Sequence, residues 1–170
     1  MPRYAAFALV IATGLLVGMA IRSALTPPVD RSAVMAQLFE SFCIGALRGK
    51  PLDPQPSLKP ANLQGEQIWF EPNSLLHLSL NLPETCSVSD ALRPLSASDK
   101  KRLAKAVSDS ISLWTPELSP REPDDLNFFI LKAWTTPDDH PKPRWGIMLS
   151  QYEETGPNAF AVLSLRLPND

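Results

Sequence analysis

Apolar residues along this chain follow three patterns. The first is an unbroken run over residues 4–21, eighteen positions without a charge. As a helix that run spans about 27 Å, just enough for a thin hydrocarbon core. The second is a spacing of three and four, which marks a helix with one buried face. It occurs twice. Met35, Leu38, Phe39, Phe42, Cys43 and Ala46 form one stripe, with Asp30 or Ser32 as N-cap and Gly49 as stop. Leu103, Val107, Ile111 and Trp114 form the other, with Ser96 as N-cap, Asp99 three residues later, and Pro116 as terminator.

The third pattern is alternation. Leu76, Leu78, Leu80 and Leu82 alternate with His77, Ser79 and Asn81, the period of a half-buried strand. Shorter or less regular signals predict strands at residues 68–70, 126–135, 144–152 and 159–167. The first half of 126–135 is apolar on both faces, as in a central strand. Thr155-Gly156-Pro157-Asn158 reads as the turn before the last strand. The clear elements run helix, strand, helix, then three strands. The expected fold class is α+β: an antiparallel sheet of four or five strands with both helices on one face. Pro51, Pro54, Pro56 and Pro60 mark residues 50–65 as an irregular, partly extended loop.

Composition narrows this further. Hydrophobic residues make up 44% of the chain and charged residues 20%, a globular balance. Beyond the apolar run, about 140 residues remain, one domain in size. The expected organisation is residues 1–25 as a signal anchor or signal peptide, 26–30 as a short linker, and 31–170 as a single extracytoplasmic domain. A signal peptide has an apolar region of about 7–15 residues, so the longer run here favours an anchor. Gly18 and Ala20 supply the small residues that cleavage would need. Within the run, Gly14 and Gly18 lie on one side of a helix, where another backbone could approach closely. A net charge of −2 gives no electrostatic reason to expect nucleic acid.

Cys43 and Cys86 are the only cysteines. An even count in an exported chain points to a disulfide, here between the first helix and the region after the Leu-rich strand. In the chain-entropy model, closing that loop stabilises by about 4 kcal/mol.

The motifs that carry chemistry are missing from the sequence. It has no Gly-x-Ser-x-Gly elbow, no Cys-x-x-Cys-His and no phosphate-cradling glycine loop. Zinc needs three or four ligands, and the only histidines are His77 and His140, far apart in the chain. Asp138-Asp139-His140 lacks a second cluster. We therefore assign no catalytic residue, no metal ligand and no cofactor. The polar row His77, Ser79 and Asn81 is the one arrangement with hydrolytic potential. Lys100, Lys101, Arg102 and Lys105 crowd the first turns of a helix, where cations oppose the macrodipole. Together with Trp69 they make a candidate interaction surface.

The general plan resembles small exported proteins of Gram-negative bacteria, a resemblance that implies no activity. The function expected is that of a single-pass inner-membrane accessory or assembly protein. Its periplasmic domain would bind another protein and catalyse nothing. A soluble exported binding or inhibitor module, freed by cleavage, is the alternative, and a small periplasmic hydrolase the third reading.

Overall fold

The computed structural model describes residues 29–50, 58–63, 66–81, 84–121, 129–139, 145–151, 153, 156 and 159–166. The apolar run with Gly14 and Gly18 lies outside these residues, as do His140 and most of the turn at 155–158. None of the described helices is long and apolar enough to cross a membrane.

The first helix, α1, is Arg31–Leu38. The Asp30 carboxylate caps it by accepting from the backbone N–H groups of Ser32 and Ala33 at 3.1 and 3.2 Å. The helix continues as a π-helical stretch, Phe39–Ile44, and a closing turn, Gly45–Leu47. The wider π turn lets three consecutive residues, Phe42, Cys43 and Ile44, all be buried. Gly49 ends the helix in the left-handed region at φ +68°. Its N–H donates to the Ala46 carbonyl, and that of Lys50 to the Gly45 carbonyl, the two bonds of a Schellman cap.

The second helix, α2, is Ala97–Trp114, with the Ser96 hydroxyl accepting from the N–H of Asp99. Its stripe of Leu103, Val107, Ile111 and Trp114 is buried as the spacing predicts. The helices lie side by side in the same direction. Arg102 of α2 approaches Asp30 at the start of α1 at 3.7 Å. At the other end, Arg48 donates to the carbonyls of Leu113 and Trp114, so a cation meets the negative end of α2.

The sheet is larger than expected. Eight strands, β1 Lys59–Leu63, β2 Glu66–Glu71, β3 Leu76–Asn81, β4 Thr85–Ser89, β5 Ser119–Arg121, β6 Phe129–Thr135, β7 Gly146–Gln151 and β8 Ala161–Arg166, form one antiparallel sheet. Their order is β1-β2-β3-β4-β8-β7-β6-β5. The chain thus runs helix, four strands, helix, four strands, and the last strands of the two meanders meet at the centre. This corrects the expected order of helix, strand, helix and three strands. The added strands are the weakly patterned ones. β1 carries Pro60 and β5 carries Pro120, and each forms an edge of the sheet. Proline is tolerated there because an edge strand leaves one row of N–H groups unpaired. In β4 only Cys86 and Val88 are apolar, and both face the core.

One sheet face packs under the helices. Leu76, Leu78 and Leu80 of β3, Cys86 and Val88 of β4, Leu163 and Leu165 of β8, and Ile147 and Leu149 of β7 form a single cluster with the helix stripes. Phe39 and Trp114 meet inside it at 5.8 Å between ring centroids. A disulfide joins Cys43 to Cys86, as expected, with 5.4 Å between their Cα atoms. It pins the π-helical stretch to the central sheet.

Candidate functional site

The helix layer does not cover the whole core face of the sheet. Lys132 of β6 pairs in register with Leu149, which is fully buried, so it points to the helix side. Lys132 is nevertheless exposed. Beside it the register of β6 shifts between Ile130 and Lys132, leaving Leu131 as the extra residue of a bulge. Bulges bend a strand and re-aim its side chains, and they recur next to binding sites.

Facing this stretch is a second face of α2. Ala97, Lys100, Lys101 and Ala104 recur at helical spacing, one step around the helix from the core stripe. The small alanines on this face leave space where a leucine would fill it. The result is a groove of about 520 Å3, walled by Leu95, Ala97, Ala104, Leu131 and Ala159 and reached by Lys100, Lys101, Lys132 and Gln151. Small-molecule sites typically measure about 300–1,000 Å3 and combine apolar walls with a few polar groups.

The charged residues that line this groove are all lysines. Lys100 is half-buried and donates to neutral acceptors, Oε1 of Gln151 at 2.9 Å and the Ala159 carbonyl at 2.5 Å. The nearby Asp90 carboxylate feels its field without forming an ion pair with it. Among the described residues, Lys101 and Lys132 have no hydrogen-bond or ion-pair partner. Behind the wall, the Asp90 carboxylate accepts from the backbone N–H of Leu95 at 2.5 Å, and Glu153 lies 3.9 Å from where a Cβ on Gly156 would sit and is itself partnered. Three ammonium groups thus share a mostly apolar groove.

The cationic surface expected from the sequence therefore divides. Lys100 and Lys101 belong to the groove. Arg102 pairs with Asp99 and approaches Asp30, and Lys105 pairs with Asp109 at 2.6 Å. Trp69 is half-buried and packs against the core, on the same face as its register partner Leu78.

His77, Ser79 and Asn81 fall on the opposite face of the sheet, which no described helix covers. The His77 ring lies 5.6 Å from Phe70, and partial burial lowers its pKa, favouring neutral imidazole. Its register partners are Phe70 and Ser89, so His77 itself meets no carboxylate directly across the strands. Among the described residues, no serine hydroxyl hydrogen-bonds to His77. Asp138 is held by Arg121 at 3.3 Å, beside an open hollow at the β5 edge. Glu71 is committed to structure. Its carboxylate accepts from the backbone N–H and the side chain of both Asn73 and Ser74, closing the β2–β3 turn. Among the described residues, no group of three His, Cys, Asp or Glu could hold a metal ion.

Sequence reasoning missed Leu131, Lys132 and Gln151. The available signal was Lys132, a charge inside an otherwise apolar strand pattern, Phe-Ile-Leu-Lys-Ala-Trp. Comparison of the chain with protein-family models, curated proteins and solved structures returns no match.

Proposed function

We propose that this chain is an extracytoplasmic accessory module that acts by binding and carries no catalysis of its own. In this reading residues 1–25 tether it to the bacterial inner membrane and residues 31–170 work in the periplasm. The observation that carries the binding role is the groove between α2 and the bulged strand β6. Its walls are mainly apolar, and among the described residues its lysines form no ion pair and no nucleophile–base pair lines it. The Cys43–Cys86 disulfide supports the compartment, since such bonds persist where the surroundings are oxidising. The hydrolase reading draws no support from His77, whose ring neighbour is Phe70.

Photocrosslinking in cells tests this reading. A crosslinking amino acid replaces Leu131 in the groove or, as control, Leu113, which is 77% exposed on α2. Fractionation and thiol labelling accompany it. The expected result is a membrane-associated protein with no free thiol and an adduct specific to position 131. Reduced cysteines in the cytosol, or no adduct at 131 above that at 113, would overturn it.

A further inference from the structure

Resting on that binding role, we propose that the groove takes a single-chain amphiphile with an anionic head, of the fatty-acid type. Its tail would lie along Leu95, Ala97, Ala104 and Leu131. Its head would sit among the ammonium groups of Lys100, Lys101 and Lys132.

Three observations converge on this occupant. The first is the wall chemistry. The groove is lined mainly by apolar atoms, so burying an apolar tail there is favourable. The alanines at 97 and 104 make room beside a helix whose adjacent face is filled by Leu103 and Val107. The second is charge complementarity. Of the cations on the first turns of α2, those outside the groove have carboxylate partners. Those inside it have only neutral acceptors or none among the described residues. Ammonium groups without an ion-pair partner beside an apolar surface attract an anion and gain strength from each part of it that excludes water. The third is size. A cavity of about 520 Å3 suits one chain better than the two of a membrane phospholipid.

The bulge at Leu131 belongs to the same device. A regular β6 would alternate strictly, and adding one residue changes the side to which everything beyond it points. Here the extra residue leaves Lys132 in register with Leu149 on the helix side of the sheet, at the groove, while Leu131 lines the same groove.

Calorimetric titration of the full chain with decanoate, decyltrimethylammonium and decyl maltoside, each below its micelle concentration, tests the proposal. Decanoate should bind saturably and decyltrimethylammonium should not. Decyl maltoside should bind more weakly than decanoate, by about tenfold or more. The double variant Lys101→Glu/Lys132→Glu should weaken decanoate by about tenfold or more, while Lys105→Glu, outside the groove, should leave it unchanged. Ala104→Leu should fill the groove and reduce binding of both decanoate and decyl maltoside, with a circular dichroism melt confirming that each variant folds. Saturable binding that is indifferent to head charge, or to the Lys101/Lys132 reversal, overturns the proposal. So does an absence of decanoate binding. If decanoate fails but position 131 crosslinks to a protein, the ligand class is wrong and the binding role stands. If neither occurs, both fall.

Discussion

The carboxylate of Asp90 accepts a hydrogen bond from the backbone N–H of Ala161 at 2.5 Å, across a separation of 71 residues. Its second oxygen accepts from the N–H of Leu95 at the same distance. One fully buried side chain thus holds the end of β4, the start of the central strand β8, and the loop that leads into α2. Substitution by asparagine leaves one oxygen to serve two N–H donors and turns an amide N–H2 toward one of them. We expect Asp90→Asn to destabilise the fold by about 1–3 kcal/mol, read as a lower urea midpoint at unchanged m-value. Burial raises the Asp90 pKa despite its two backbone donors. The folded state therefore holds this proton more tightly than the unfolded chain does. The group's contribution to stability is full below its unfolded value and is lost as pH rises through the folded one. Asp90→Asn should remove that component from the pH profile.

The disulfide between Cys43 and Cys86 closes a loop with a sequence separation of 43. In the chain-entropy model such a closure stabilises by about 4 kcal/mol. Both sulfur-bearing residues are fully buried, so replacing them with alanine also removes some packing. We expect Cys43→Ala/Cys86→Ala to lose about 2–5 kcal/mol in equilibrium unfolding. A loss below about 1 kcal/mol would show that the unfolded chain is already restrained in this region.

What the sequence revealed and what it hid have a common physical cause. Local bonding and strong periodicity were legible. The Ser96 cap, the first helix's cap narrowed to Asp30 or Ser32, the Gly49 stop, the two helix stripes and the alternating leucines of β3 each depend on residues within about one turn or one strand. The cysteine pair was legible through parity. Strands stabilised mainly by their neighbours were not. β1 and β5 carry Pro60 and Pro120, which argue against a strand until its edge position is known. β4 contributes only Cys86 and Val88 to the core, too few to mark a period. The groove was half legible: Lys100 and Lys101 stood out as cations at the wrong end of a helix dipole. Lys132, Leu131 and Gln151 join them only because β6 is bulged and lies beside β7.

Gly146 begins β7 opposite Thr135. A Cβ placed on it would lie 2.3 Å from the Trp134 carbonyl oxygen and 3.0 Å from the Thr135 Cα, both backbone atoms that cannot swing aside. The constraint is close approach of two strands. We expect Gly146→Ala to force the β6–β7 pair apart and cost about 1–3 kcal/mol. Thermal melts should show the loss, and hydrogen exchange should show it concentrated in β6 and β7.

Glu71 supplies the clearest acid-sensitive contact outside the groove. Its carboxylate accepts from the backbone N–H of Ser74 at 2.6 Å and from that of Asn73 at 3.2 Å, with both side chains adding further donors. Burial alone would raise the Glu71 pKa, but these hydrogen bonds outweigh it and the net shift is downward. A lowered folded pKa means that the stabilisation is complete above the unfolded value and is lost as pH falls through the folded one. The turn it closes contains Leu75 at φ 57°, a left-handed conformation that a leucine adopts only when its surroundings hold it there. Glutamine at position 71 would keep the length but present an N–H2 to the donors now shared by two oxygens. We expect Glu71→Gln to destabilise the domain at neutral pH by about 1–3 kcal/mol and to flatten the acid limb of the stability profile between about pH 5 and pH 2. Denaturation midpoints across that range check both effects. Parallel profiles for the two proteins would mean that the turn does not depend on the ionised carboxylate.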